Sequence, residues 1–121
     1  MAIELLNNVN ELDQVIFIGG KLSKKSQLAI GGSSINLLSE VKADICFLGT
    51  SYLDANKGIT AIDWEITQMK KAMMKASSKT ISLTISEKLD TINRYKICDI
   101  NDLDVLITEL DPSSKVLDEY R

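Results

Sequence analysis

The stretch ADICFLGTSYLDANKGITAIDWEITQMKKAMMKASSKTISLTI, residues 43–85, decides the fold. After Asp44 comes the apolar run ICFL (45–48), which reads as a buried strand. Gly49 ends the run, and TSYLDANKGIT (50–60) reads as a loop. Asp63 is placed to cap a helix in which Ile62, Ile66, Met69 and Met73 share one face. Lys70, Lys71 and Lys75 fall on that helix's other side, expected to be solvated. TISLTI (80–85) then alternates as a strand does. A strand, a helix and a strand in that order form the unit of a parallel sheet.

The same alternation continues outward. On the N-terminal side, VIFI (15–18) is a continuous apolar run, the signature of a strand buried on both faces, and Gly19 and Gly20 end it. Lys21 to Ile30 reads as a loop with a short strand. Gly31 and Gly32 lead into Ser33 and Ser34, candidate caps for a helix with Ile35, Leu38 and Val41 as its stripe. Ahead of all this, Ala2, Ile3, Leu5, Leu6 and Val9 recur at helical spacing from the first residues, with no capping segment before them. On the C-terminal side, SEKLD (86–90) reads as a turn, and Tyr95–Cys98 and VLIT (105–108) as strands. Asp111-Pro112 reads as the start of a helix bearing Val116, Leu117 and Tyr120. The expected fold class is therefore α/β: a single domain over residues 1–121, with an open, mainly parallel sheet and helices on both faces.

Composition narrows the function classes. Hydrophobic residues make up 45% of the 121, enough for a core. Fourteen basic against seventeen acidic residues leave a net charge of -3, a poor balance for gripping a nucleic-acid backbone. There is no histidine, which excludes His-based catalysis and His-ligated zinc. Cys46 and Cys98 sit in apolar runs and read as buried free thiols. The apolar runs are far shorter than a membrane span, so no membrane contact and a cytoplasmic location are expected.

In open α/β sheets ligands bind beyond the carboxyl ends of the strands. Three such ends stand out: Gly19-Gly20-Lys21, Gly49 to Thr60 with Asp54 inside it, and Ser86-Glu87-Lys88. Parallel strands would bring all three to one sheet edge, where glycine amides and a lysine charge can meet an anion. Each signal also has a plainer reading. A glycine pair after a strand serves as a turn, Asp54 with Gly58 as another, and Lys88 as a surface lysine. Lys21, Lys24 and Lys25 are either a solvated loop or a contact to an anion. Neither GxGxxG nor GxxxxGK[ST] occurs, and no cofactor or metal is expected.

The order of VIFIGGKL, the IGG opening a helix, ADICFLGTSYLDANKGIT, DWEITQMKKAMMKAS, TISLTISEKL and DINDLDVLITE resembles the C-terminal sensor domain of DeoR-type repressors. Those pieces span Val15 to Glu109. Within the group the sequence looks nearest to repressors of lactose or galactose catabolism. The resemblance implies a fold similar to ribose-5-phosphate isomerase and CoA transferases. It implies a phosphorylated sugar as effector, tagatose-6-phosphate being one candidate. Effector binding would shift the repressor away from its operator-binding state. It further implies a homo-oligomer, with operator DNA held by a winged helix-turn-helix that is expected, with the first part of the sensor domain, to lie outside residues 1–121. Carried over residue by residue, Gly19, Gly20 and Lys21 shape a loop beside the pocket. Gly49 and Asp54 fall in a segment similar to the isomerase's acidic loop. Lys88 matches a lysine that pairs with an anionic group. Tyr52 departs from the family pattern in that loop, which counts against isomerase chemistry, and Ile85 and Leu89 depart from it on either side of Lys88, at the third corner of the site. Glu65 and Lys70 match polar positions of the family's helix, read as an ion pair or as ligand contacts, and Trp64 reads as packing at the helix start. Two other readings stand beside the sensor: an isomerase-like enzyme working by proton transfer, and a plain oligomerisation module.

Overall fold

The computed structural model describes residues 1–121. Its centre is a parallel sheet of β3 (Ala43–Gly49), β6 (Ser77–Leu83) and β8 (Val105–Ile107), in the order β3-β6-β8. The crossover from β3 to β6 runs through α3 (Trp64–Lys75). Asp63 caps this helix as expected, its carboxylate accepting from Ile66 N at 3.0 Å. The α/β fold with a parallel sheet is thus the one the strand–helix–strand order calls for.

Residues 50–60 are more ordered than a loop. β4 (Tyr52–Asp54) and β5 (Gly58–Ala61) form an antiparallel hairpin, and β7 (Tyr95–Cys98) adds to β5. β7 is the strand expected at Tyr95–Cys98, whereas β4 and β5 escape a sequence reading because at three or four residues they are too short to show a period. The second sheet closes one side of the core. Leu48, Leu53 and Ile59 are fully buried there with Cys46, Cys98, Ile97, Leu89 and Leu117. Each such aliphatic side chain contributes roughly 1.5–3 kcal/mol by leaving water. Both cysteines are free and buried, as expected. Burial raises both thiols, and pushes Cys98 up to about 11.

A smaller cluster of Ile30, Leu38 and Met69 joins α2 (Gly32–Ser39) to α3 and to the hairpin of β1 (Lys21–Leu22) and β2 (Ala29–Ile30). The cap of α2 is Gly31, not Ser33 or Ser34. Ser34 instead lies buried in the helix's first turn, and Val41 falls beyond the helix, exposed.

Four further expectations fail. VIFI is not a strand: residues 15–18 pair with nothing, and Ile16 and Phe17 are 79% and 65% exposed. An apolar run becomes a strand only where a neighbour accepts its backbone, and here none lies alongside. ICFL is a strand, but only Cys46 and Leu48 are buried; Ile45 and Phe47 face outward. Lys70 is not solvated; it is 8% exposed. Asp111-Pro112 opens no helix. The Asp111 carboxylate accepts from Ser113 N and Oγ in a turn, and a 3-10 helix follows at Lys115–Tyr120. No helix is long and apolar enough to cross a membrane.

Candidate functional site

The β3–β6 pairing is parallel, with Gly49 opposite Leu83. The chain therefore leaves both strands on one side, and Thr50 N donates to Leu83 O at 3.1 Å across the gap. Two of the three glycine- or lysine-bearing segments begin at this shared carboxyl edge. β8 ends there too: Thr84 N donates to Ile107 O at 3.0 Å, and Glu109 reaches back to Ser86.

Glu109 accepts from Ser86 N through both oxygens at 3.0 Å, from Ser86 Oγ at 2.5 Å and from Thr108 Oγ1 at 2.8 Å. The Ser86 hydroxyl and amide hold its carboxyl down at about 2, although the group is exposed. It orders the turn that carries Lys88.

Lys88 ends the 3-10 helix Ser86–Lys88 and is half-buried. The next residue, Leu89, bridges Leu53 in parallel, and Thr91 N donates to Leu53 O at 3.1 Å. Lys88 and Asp54 thus flank a directly paired couple. Asp54 is engaged: its Oδ1 accepts from Asn56 N at 2.9 Å and Lys57 N at 2.8 Å, closing the β4–β5 turn. A carboxylate oxygen tied by two amides is poorly placed to act as a proton-abstracting base.

The Gly19-Gly20-Lys21 segment reaches the edge by another route. Ser34 Oγ, on α2, donates to Gly19 O at 2.7 Å. Lys21 Nζ donates to Glu65 Oε2 at 3.3 Å, in the first turn of α3. That turn faces the carboxyl edge, because α3 runs back from the strands' ends toward their starts; Ala43 N donates to Ala76 O at its far end. Lys24 and Lys25 are exposed, in keeping with a solvated loop. No hydrogen bond or ion pair joins Gly19, Gly20 or Lys21 to Asp54 or Lys88.

Sequence reasoning undervalued Lys70. Its Nζ donates to Gly49 O at 2.6 Å, inside the protein and without a carboxylate partner. Burial lowers its pKa. Beside it runs a chain of hydroxyls: Thr50 Oγ1 lies 2.7 Å from Ser82 Oγ, and Ser82 Oγ 2.8 Å from Thr84 Oγ1. The serines and threonines of TISLTI were visible as the polar half of an alternating strand. Only α3 and the second sheet, packed on one face, put that half inside.

Trp64 packs edge-on against Tyr95, with ring centroids 5.5 Å apart, as expected of a residue that anchors a helix start. A cavity of about 510 Å³ lies at the opposite end of the sheet, between the C-terminal ends of α2 and α3. None of Gly19, Gly20, Lys21, Gly49, Asp54 and Lys88 lines it.

Residues 1–110 match the family described as the DeoR C terminal sensor domain. The HTH-type transcriptional regulator GolR of Listeria innocua is 30% identical over 108 residues, covering 89% of this chain and 42% of the relative. The HTH-type transcriptional repressor GlcR of Bacillus subtilis is 29% identical over 105 residues, covering 87% and 40%. The glycerol-3-phosphate regulon repressor of Haemophilus influenzae is 25% identical over 99 residues, covering 82% and 38%. The chain spans about two-fifths of the length of these relatives.

Proposed function

This chain belongs to the DeoR C-terminal sensor domain family, and from that premise we propose that it senses a phosphorylated sugar at the carboxyl edge of β3 and β6. The family and its relatives are transcriptional regulators and repressors, not enzymes. In this reading residues 1–121 are a single sensor unit of a longer cytoplasmic repressor. Its winged helix-turn-helix, ahead of this region, holds the operator, and the full protein works as a homo-oligomer.

One observation carries the site: the parallel register of β3 and β6, which gathers Gly49, Thr50 and the Lys88 turn at one edge. Gly49 and Thr50 offer backbone amides and a hydroxyl. Lys88 supplies a positive charge for the phosphate, and Asp54 Oδ2, left over from the turn, accepts from sugar hydroxyls. Gly19, Gly20 and Lys21 wall the site from the α2–α3 side. One relative is named a glycerol-3-phosphate regulon repressor, which fits an anionic small molecule. Tagatose-6-phosphate heads the candidates.

The test is a thermal-shift panel of tagatose-6-phosphate, other hexose and pentose phosphates, their unphosphorylated sugars and inorganic phosphate, run on the full-length repressor. A ligand at about 100 times its Kd stabilises by roughly 2.7 kcal/mol, an easily seen shift. The expected result is a shift with one sugar phosphate, lost in Lys88→Ala, and release of operator DNA by the same compound. Silence across the whole panel rejects the proposal.

A further inference from the structure

The two ends of the chain meet the core differently. α1 (Ala2–Asn8) buries none of its residues. The tail after β8 does the opposite: its 3-10 helix, Lys115–Tyr120, seats Leu117 in the main core cluster that holds Leu53 and Leu89. Those two leucines are the bridged pair behind the candidate site, with Asp54 following one and Lys88 preceding the other. The tail therefore packs on the scaffold of the site itself.

The same tail grips the Lys88 turn at both ends. At the front, Glu109 accepts from the amide and the hydroxyl of Ser86. At the back, the Tyr120 hydroxyl accepts from Asp90 N at 2.9 Å and donates to Asp90 Oδ1 at 2.7 Å. One phenol thus closes on both the backbone and the side chain of a single residue. Asp90 needs such a hold. Its φ is +57°, in the left-handed region, where a Cβ is strained and a short polar side chain is the best tolerated. Between the two grips, Thr91 Oγ1 donates to Lys88 O at 2.6 Å and Thr91 N to Leu53 O at 3.1 Å. A shift at Asp90 would pass through Thr91 to Lys88 and to the hairpin that carries Asp54. Burial first, then the bond to Asp90, raises the Tyr120 hydroxyl to about 12, so it keeps its donor proton at neutral pH. The family match covers residues 1–110, and Tyr120 stands outside it.

We propose that the tail after β8 is a strap that sets where Lys88 stands, with Tyr120 as the positioning residue. Packing alone would need only the ring. The hydroxyl's two bonds fix a left-handed backbone two residues from the cation. A lysine meets an anion at the end of a long, flexible stem, so a loosened turn beneath it loses more entropy when the ligand binds. The inference rests on the reading of Lys88 as the phosphate's partner.

Tyr120→Phe in the full-length repressor tests it, because the ring and its packing remain. Hydrogen exchange at Lys88, Leu89 and Thr91, whose amides bond to Ile85, Ser86 and Leu53 and not to Tyr120, should quicken about tenfold, the scale of one net hydrogen bond. The Kd for tagatose-6-phosphate and for inorganic phosphate, read by calorimetry, should rise by a similar factor. Asp90→Ala should behave as Tyr120→Phe does. Asp90→Asn keeps an acceptor and tolerates the left-handed backbone, so it should stay near wild type in both readings. In a Lys88→Ala background, Tyr120→Phe should weaken binding no further. Unchanged exchange in Tyr120→Phe overturns the proposal. So does faster exchange with unaltered affinity, or a fully additive loss in the Lys88→Ala background. A wild-type repressor that binds neither probe rejects the effector reading, and faster exchange in Tyr120→Phe would then uphold the strap by itself.

Discussion

Ser34 and Gly19 touch across fifteen residues of sequence: the buried Ser34 hydroxyl donates to the Gly19 carbonyl at 2.7 Å. The bond pins the glycine loop to the first turn of α2. Gly20 makes the approach possible. Its φ is +155°, and a Cβ there would lie 2.0 Å from Ser34 Oγ. Gly20→Ala is expected to cost about 1–3 kcal/mol and to loosen the Lys21–Glu65 contact. Adding Ser34→Ala should recover part of the loss, since it removes the atom in closest conflict. Denaturant melts of the two variants check this, and a double variant no more stable than Gly20→Ala alone contradicts it.

Gly58 holds the β4–β5 turn against β7. Its φ is +75°, and a Cβ would meet Cys98 O at 2.0 Å. Backbone stands on both sides, so nothing can swing away. Gly58→Ala should destabilise by at least about 2 kcal/mol, read as a drop in Tm with loss of exchange protection at Ile59 and Cys98. A change within about 0.5 kcal/mol would show that the two strands separate easily.

Lys70 is set between two opposing effects. Its bond to Gly49 O is charge-assisted, worth roughly 1.5–3 kcal/mol, while burying the ammonium costs a similar amount. Lys70→Met keeps the stem and removes both. Net stability should change by less than about 1 kcal/mol, yet the Thr50 amide beside Gly49 should exchange faster. If protection at Thr50 is unaltered, Lys70 does not position the loop.

Glu109 contributes to the acid limb of stability. Its folded pKa, about 2, lies below the ordinary 4.5. The carboxylate's bonds to Ser86 therefore stabilise the fold above pH about 4.5 and are lost as pH falls from there toward 2. Tyr120 does the reverse at the alkaline end. Burial first, then its bond to Asp90, raises it to about 12, so its contribution is present below pH 10 and fades as pH rises to 12. Melting curves of Glu109→Gln should converge on wild type at pH 2 and fall below it at pH 6. A constant offset across that range would contradict the assignment.

Much of the fold was legible because its signals are local. Asp63 before an apolar stripe at helical spacing makes a capped α3 whatever surrounds it, and ICFL and TISLTI carry strand patterns long enough to read. The candidate edge followed from the same order, since a helix between two strands makes them parallel. The family resemblance was legible too, in the joint order of its segments. VIFI misled because a strand is a pairing, and a run of apolar residues does not state whether a partner exists. Lys70 misled because helical spacing places a residue on a face of its own helix and says nothing of what that face meets.

By itself the sequence determined which segments could be strands and helices, that Asp63 caps α3, and that no histidine chemistry is available. Those are properties of neighbours along the chain, fixed by backbone sterics and side-chain period. The tertiary structure alone decided that the polar half of TISLTI lies inside, that Lys70 reaches Gly49, and that Ile45 and Phe47 look out from a bare sheet. Each of these depends on residues twenty or more positions apart. Burial and hydrogen-bond pairing are settled only when distant segments compete for the same space.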